Sequence, residues 1–319
     1  MSIYNVIVIG GGLAGNSATL FLSRSMLTHL TFVGEEDEQY GLLATTNLIE
    51  NFPGFDGLEG KKLVKKIRKQ AEKFGGMFVK KRIIKVDFSS RPFKVYDSDN
   101  IEYLSSSIII ATGSIPNRLY LENEAKLWGR YISNCAICDG PHFKNKKIVV
   151  IGGGNSSLQQ GLFLSKFSKV VLIHRKNCFR ASTILQKRVL NHPKIKVIFD
   201  NEIVKLNTEG DKLKSIICEN IVTGEQSELP ANAIFYALGF SPNSELFKGQ
   251  LEIDEKGYIV IKKSEHFETM TSVEGVFVAG DVGQCRFKQA ITSASSGCVA
   301  SLDVINYLHE LHIIPDDLF

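Results

Sequence analysis

The chain is 319 residues long, 44% hydrophobic and 23% charged, with a formal net charge of +4 at pH 7. That apolar fraction excludes intrinsic disorder, and the absence of any compositional repeat excludes collagen-like and low-complexity chains. No apolar run approaches the roughly 18 to 20 residues that cross a bilayer, so no membrane partner is expected.

The length suits two domains of ordinary size. Tyr4 to Ile9 is a short β-branched apolar run, the pattern of a strand buried on both faces of a parallel sheet. Gly10-Gly11-Gly12-Leu13-Ala14-Gly15 follows, then a helical stretch to Arg24 and a strand from His29 to Val33. Arg24 is the first basic residue and the glycines break the apolar stretch, so this segment is not expected to act as a secretory signal. The same order returns later: the strand Lys147 to Ile151, the turn Gly152-Gly153-Gly154-Asn155-Ser156-Ser157, a helix to about Phe167 and the strand Val170 to Ile173. Two βαβ units in one chain predict an α/β protein with two Rossmann-like dinucleotide-binding domains.

Further short strands are expected at Ile195–Phe199, Ile216–Cys218, Ala233–Leu238 and Gly275–Ala279, and a last helix from Gln289 to His309. The Gly/Pro/Asn turns at 113–117 and 239–243 are candidate hinges, which makes the middle segment a domain inserted into the first. The expected boundaries are 1–116 and 244–319 for the outer domain and 117–243 for the inserted one. Charge separates them as well: from Gly140 to Phe199 there are twelve Lys or Arg and no Asp or Glu, which points to an anionic partner, nucleic acid or a phosphorylated cofactor.

Gly10, Gly12 and Gly15 form a G-x-G-x-x-G turn, in which glycines permit the tight turn, the approach of a pyrophosphate and close helix–strand packing. Glu35 stands about 20 residues further on, where an acid would accept ribose hydroxyls. In the second copy the corresponding place holds no carboxylate but His174-Arg175-Lys176, with Arg180 after it. Cations there suit a 2′-phosphate, so NADPH is the expected second cofactor, with ordinary surface basic residues as the alternative.

Cys135-Ala136-Ile137-Cys138-Asp139 is a lone C-x-x-C. The short span favours a reversible redox disulfide, while structural zinc and two unconnected cysteines remain open; no second ligand pair follows at zinc spacing, so no metal is expected. Asp139 is either a turn residue or a proton shuttle for the thiolates that a broken disulfide releases. Cys178, Cys218, Cys285 and Cys298 have no partner in sequence and are expected to be core thiols. Six cysteines are too few for a disulfide scaffold, and a reducing compartment, the cytoplasm, is the expected location.

Taken together, Gly10 to Gly15, Glu50-Asn51-Phe52-Pro53-Gly54-Phe55, Ala111-Thr112-Gly113, Cys135 to Gly140, Gly152 to Ser157, His174-Arg175 with Phe179-Arg180-Ala181-Ser182, Gly275 to Asp281 and Lys288-Gln289-Ala290 resemble the low-molecular-weight thioredoxin reductases over nearly the whole chain. The resemblance implies FAD on the outer domain, held by Gly10, Gly12, Gly15, Glu35, Thr46, Asn51, Thr112, Gly113, Asp281, Gln289 and Ala290. It implies NADPH on the inserted domain, held by Gly152, Gly154, Asn155, Ser156, His174, Arg175, Lys176 and Arg180. Cys138 would face the flavin, Cys135 would attack the substrate disulfide and Asp139 would be the acid/base. A thioredoxin or thioredoxin-like protein is the implied substrate and a homodimer the implied assembly. The chain departs from the family pattern at Leu42, Asn155, Lys176 and the Gln284–Cys285 loop.

The activity so implied is NADPH-dependent reduction of thioredoxin through FAD and a Cys135–Cys138 disulfide. The alternative on the same scaffold is a dithiol oxidase acting on a small molecule or another protein thiol. A pyridine nucleotide–ferredoxin reductase would need no C-x-x-C, and a flavin-bound sensor without turnover or a zinc-dependent binding module are the non-enzyme readings. Nucleic-acid binding is not expected, because no aromatic-interleaved or recognition-helix pattern accompanies the basic block.

Overall fold

The computed structural model describes residues 2–36, 38–284 and 287–315. The chain divides into two compact units, Met1–Ile115 with Ser241–Phe319 and, separately, Pro116–Phe240. The first unit begins with β1 (Ile3–Ile9), α1 (Leu13–Arg24) and β2 (His29–Phe32), followed by α2 (Gly60–Lys73), β3 (Phe78–Val79), β4 (Ile83–Asp87), β5 (Phe93–Asp97) and β6 (Glu102–Ile110). The strand order is β3-β2-β1-β6-β5-β4, with β1 parallel to β2 and β6 while β4, β5 and β6 run antiparallel. The Val/Ile run of β1 is explained by cover on both faces, since Val6, Ile7 and Val8 are fully buried.

The chain leaves this unit through β7 (Ser114–Pro116). The second unit contains α3 (Glu124–Leu127), β8 (Ile132–Ser133), α4 (Ala136–Asp139), β9 (Lys147–Ile151), α5 (Asn155–Leu164), β10 (Lys169–Ile173), α6 (Thr183–Leu190) and β11 (Ile195–Ile198). It continues with β12 (Asn201–Glu209), β13 (Lys212–Asn220), β14 (Gln226–Pro230) and β15 (Ala233–Tyr236). A parallel sheet has the order β11-β10-β9-β15-β8, and β12-β13-β14 form a separate antiparallel sheet. The helix expected to reach Phe167 ends at Leu164, where Ser165 Oγ turns back to the Leu162 carbonyl. The return crossing β16 (Phe240–Pro242) pairs with β7, and β17 (Val276–Val278) and α7 (Ala290–Glu310) complete the first unit. Both units thus carry a β–turn–α–β start on a parallel sheet. Among the described residues no helix is long and apolar enough to cross a membrane.

In the first unit, α1 and α7 touch backbone to backbone. A Cβ at Gly297 would stand 2.1 Å from the Ala14 carbonyl oxygen, so only glycine lets α7 lie this close to the start of α1. Gly297→Ala is expected to destabilise the protein by about 1–3 kcal/mol, because the overpacking outweighs the better helix propensity of alanine. Thermal unfolding checks this, with exposed Ser295→Ala on the same helix as the control that leaves the midpoint in place.

Candidate active site

Gly10 leaves β1 at φ 133° and leads into α1. A Cβ at Gly15 would lie 1.9 Å from the Gly10 carbonyl oxygen, so the helix can begin this close to the strand end only with glycine there. Gly12 is the N-cap of α1, has no side-chain cap, and faces open space out to the Gly41 Cα at 3.9 Å. The first N–H groups of α1 are therefore left for an anion, which fits a cofactor diphosphate. Behind the turn, buried Arg68 donates to the Gly11 carbonyl at 3.2 Å and Asn16 Oδ1 at 3.1 Å and also holds the Gln39 carbonyl. This cation with neutral acceptors escaped the sequence reading because it sits in a helix otherwise rich in exposed lysines.

Several predicted positions meet around that turn. A Cβ at Gly280 would be 3.0 Å from the Ala14 Cβ, which brings Asp281 close to the start of α1. Burial holds the Asp281 carboxyl above the usual carboxylate range, against Lys288 and the Ser293 hydroxyl, which donates to Oδ1 at 3.3 Å. Gln289 caps α7 in a reciprocal pair with Thr292, and Asn51 Nδ2 donates to Gln289 Oε1 at 3.3 Å. Ala290 packs on the cluster of Leu13, Ile49, Leu63 and Val64. Thr46 is tied in by its carbonyl, which accepts the Gly60 N–H at 2.9 Å. Thr112 follows β6 and its Oγ1 donates to the Asn243 carbonyl at 2.7 Å, with Gly113 next at φ 72°. Glu35 stands apart from this group: it is exposed beyond the end of β2, in the field of Lys81 and Arg82.

The second unit repeats the turn. Gly152 has φ 136°, and Gly154 is the uncapped N-cap of α5 with nothing within 4 Å of a built Cβ. Asn155 Oδ1 accepts the Ser182 N–H at 2.8 Å, and the Arg180 N–H donates to the Gly153 carbonyl at 2.8 Å, so the loop after β10 is laced to the turn, beside Ser156 in the first turn of α5. His174 packs its ring against Gly153, where a Cβ would come within 2.2 Å of it, and stacks on Phe179 with centroids 5.8 Å apart. Burial, then Arg180, Arg175 and Lys176, lower the proton affinity of His174, a backbone contact at Cys178 opposing them. Its Nε2 is buried and has no hydrogen-bond partner. Arg175, Lys176 and Arg180 are exposed and make no ion pair among the described residues. An orphaned imidazole nitrogen, an uncapped helix and three unpaired cations fit a phosphorylated nucleotide.

Cys135 and Cys138 form a disulfide, S–S 2.06 Å with Cα atoms 5.3 Å apart, at the start of α4. The Cys138 N–H donates to Cys135 Sγ at 3.2 Å. Ser133 Oγ accepts the Cys135 N–H at 3.0 Å and donates to Asp139 Oδ2. Burial holds the Asp139 carboxyl above the usual range, with the Ser133 hydroxyl and His142 pulling it down. The other cysteines differ from expectation in part. Cys218 is buried in β13 and its thiol is pushed up to about 11 by burial, whereas Cys298 is half-buried and its thiol is raised by the same cause. Cys178 is exposed and not a core thiol, because Phe179 takes the inward position of that loop. Cys285 lies outside the described residues.

A family model described as pyridine nucleotide-disulphide oxidoreductase matches residues 4–297. The chain is 44% identical over 319 residues to thioredoxin reductase 2 of Arabidopsis thaliana, covering 96% of this chain and 82% of that protein. It is 43% identical over 320 residues to the thioredoxin reductase of Neurospora crassa, covering 97% and 95%. Among solved structures, the thioredoxin reductase from Giardia duodenalis superposes with a TM-score of 0.90 at 35% identity, covering 97% of this chain and all of that one. The chain belongs to the pyridine nucleotide-disulphide oxidoreductase family.

The cysteine environments predict an order of reactivity. With a thiol-alkylating reagent and mass mapping, Cys178 is modified in the untreated protein, Cys135 and Cys138 only after reduction, and Cys218 last. Modification of Cys135 without reductant would contradict the disulfide.

Proposed function

We propose that the protein is an NADPH-dependent flavoprotein that reduces the disulfide of a thioredoxin or thioredoxin-like protein. The observation that carries the reading is the Cys135–Cys138 disulfide, hydrogen-bonded to a buried acid through Ser133, on the same unit as the cation-lined second turn. The likeness to thioredoxin reductases along almost the whole chain supports it.

The uncapped start of α1, with Gly10, Gly12 and Gly15, would hold the FAD diphosphate, and Arg68 adds positive charge behind it. Glu35 would take the ribose hydroxyls. Asp281, Gln289, Ala290, Thr46, Asn51, Thr112 and Gly113 would line the rest of that cofactor. On the other unit, Gly152, Gly154, Asn155 and Ser156 would receive the NADPH diphosphate. Arg175, Lys176 and Arg180 would hold the 2′-phosphate, with His174 packed beneath them on Gly153. When bound, FAD supplies a two-electron relay between nicotinamide and disulfide. Opening the sulfur–sulfur bond takes two electrons and leaves two thiolates to be protonated. Asp139, kept protonated to higher pH by burial, gives one proton. Cys135, as the thiolate, then attacks the substrate disulfide and expels one substrate thiolate. Cys138 returns its proton to Asp139, resolves the mixed disulfide and expels the second, regenerating the Cys135–Cys138 bond. The two substrate thiolates take up one proton that entered with the hydride of NADPH and one from solvent. A homodimer and a cytoplasmic location belong to the same reading.

Purified protein should be yellow, bleach with NADPH under anaerobic conditions and recover its colour on addition of oxidised thioredoxin. Cys138→Ser should lose thioredoxin turnover; turnover at the parent rate would overturn the assignment. Arg175→Ala and Arg180→Ala should each lower kcat/KM for NADPH roughly tenfold or more while sparing NADH, since a charge-assisted contact contributes about 1.5–3 kcal/mol. Equal kcat/KM for the two nucleotides in the parent enzyme would sink the 2′-phosphate assignment.

A further inference from the structure

We propose that Ser133 is a positioning residue for the redox pair, its hydroxyl joining the Asp139 carboxylate to the backbone of Cys135. The inference rests on the reading that Asp139 moves a proton at the Cys135–Cys138 bond. Ser133 ends β8, is buried, and has its backbone fixed opposite Phe235 of the parallel strand β15. Its hydroxyl has one proton, and that proton goes to Asp139 Oδ2, while its oxygen accepts the Cys135 N–H at 3.0 Å. With Oδ2 kept as an acceptor, the neutral carboxyl carries its proton on Oδ1.

The step Ser133 supports is a proton transfer. The O–H bond of Asp139 breaks, an S–H bond forms on one of the two thiolates released when the disulfide takes up two electrons, and the negative charge moves from sulfur to the carboxylate. Burial penalises that charge, and the Ser133 O–H is the neutral donor that offsets the penalty, alongside His142. Among the described residues, the charged or titratable group acting on Asp139 is His142, on the following turn. From α5, packed against α4, neutral Gln160 reaches this region, its Nε2 donating to the Asn134 carbonyl at 3.4 Å.

Loss of the hydroxyl leaves burial less opposed, so the Asp139 midpoint rises: the carboxyl keeps its proton to higher pH and the carboxylate becomes scarcer at any given pH. The test is a pH titration of the full-length oxidised protein labelled with 13C at aspartate carboxyls, the Asp139 resonance being identified by its loss in Asp139→Asn. Ser133→Ala should raise the midpoint by about one pH unit, the size of one hydrogen bond to a charged group. Ser133→Thr, which retains the hydroxyl, should return it to the parent value. Ser133→Cys, close in size with a weaker donor, should give a smaller rise, so the outcome does not hang on one variant. In turnover with NADPH and oxidised thioredoxin, the alkaline limb of the pH profile should move the same way in Ser133→Ala and be restored in Ser133→Thr. An unchanged midpoint in Ser133→Ala overturns the positioning role even if turnover falls. A parent protein that fails to reduce thioredoxin overturns the functional reading instead, while the titration still decides whether Ser133 holds the carboxylate.

Discussion

Backbone brought against backbone, with no Cβ between, is the constraint on which both units depend. Built Cβ atoms would come within 2.2 Å of the Ala111 carbonyl oxygen at Gly10, 1.9 Å of the Gly10 carbonyl oxygen at Gly15, and 2.6 Å of the Ala237 carbonyl oxygen at Gly152. The contact at Gly15 seats the start of α1 on the end of β1, and those at Gly10 and Gly152 press each turn against the residue that follows a neighbouring parallel strand, β6 or β15. The same absence of side chains leaves the N-caps Gly12 and Gly154 without a capping group. Close packing and anion binding therefore fall to different glycines of the same turn: Gly10, Gly15 and Gly152 let backbones meet, while Gly12 and Gly154, with open space where a Cβ would stand, leave the first helical N–H groups uncovered.

The two turns share a backbone and part in their surroundings. Behind the first, Arg68 places a buried cation against carbonyl oxygens, and beyond β2 the exposed side chain is an acid, Glu35. Beyond β10 the exposed side chains are Arg175, Lys176 and Arg180, and the imidazole beneath them is driven towards its neutral form by burial and by those charges. The shift of His174 towards its neutral form leaves the positive charge of the loop to Arg175, Lys176 and Arg180. Lys176 keeps charge where the family resemblance has a second arginine but lacks the planar fork, so in the proposed NADPH site bidentate recognition falls to Arg175 and Arg180.

The parallel strands β1, β2, β9, β10, β11, β15 and β17 were legible in the sequence because burial on both faces leaves runs such as Val6 to Ile9 and Ile148 to Ile151 with little choice of residue, whereas β3 and β8 are too short to carry a pattern. The antiparallel strands β4, β5, β12 and β14 were not, since one face meets water and their apolar signal is diluted, as in Gln226–Pro230. Helix α2 was missed for a related reason: its buried face, Gly60, Leu63, Val64, Arg68 and Ala71, holds only three apolar side chains, one of its places is taken by an arginine, and lysines surround it. Of the candidate site, the glycine turns and the cysteine pair stood out, because each needs an unusual residue at a set spacing. Arg68 and Ser133 did not. A lone Ser in a two-residue strand and one Arg in a basic helix take their meaning from partners 6 and 57 residues away. Cys178 was misjudged because an unpaired cysteine carries no sign of which way its loop will turn.

In the proposed mechanism the redox pair and Asp139 exchange a proton, and each has a neighbour that bears on its charge. The Cys138 N–H is directed at Cys135 Sγ, a donor that favours a thiolate once the disulfide is open. Burial acts the other way on Asp139 and favours its neutral form. A carboxyl whose proton affinity burial has raised is a closer match to a thiol than a solvated carboxyl is, and a closer match lets a proton pass in either direction with less driving force. A pair that alternates between disulfide and dithiol needs that symmetry, giving a proton when the bond opens and recovering it when the bond closes. A solvated aspartate would stay ionised throughout and serve only the second half, whereas a carboxyl buried with no donor would stay neutral and serve only the first. In the proposed mechanism, Ser133, donating to Asp139 while it accepts from the Cys135 backbone, holds the acid between those limits.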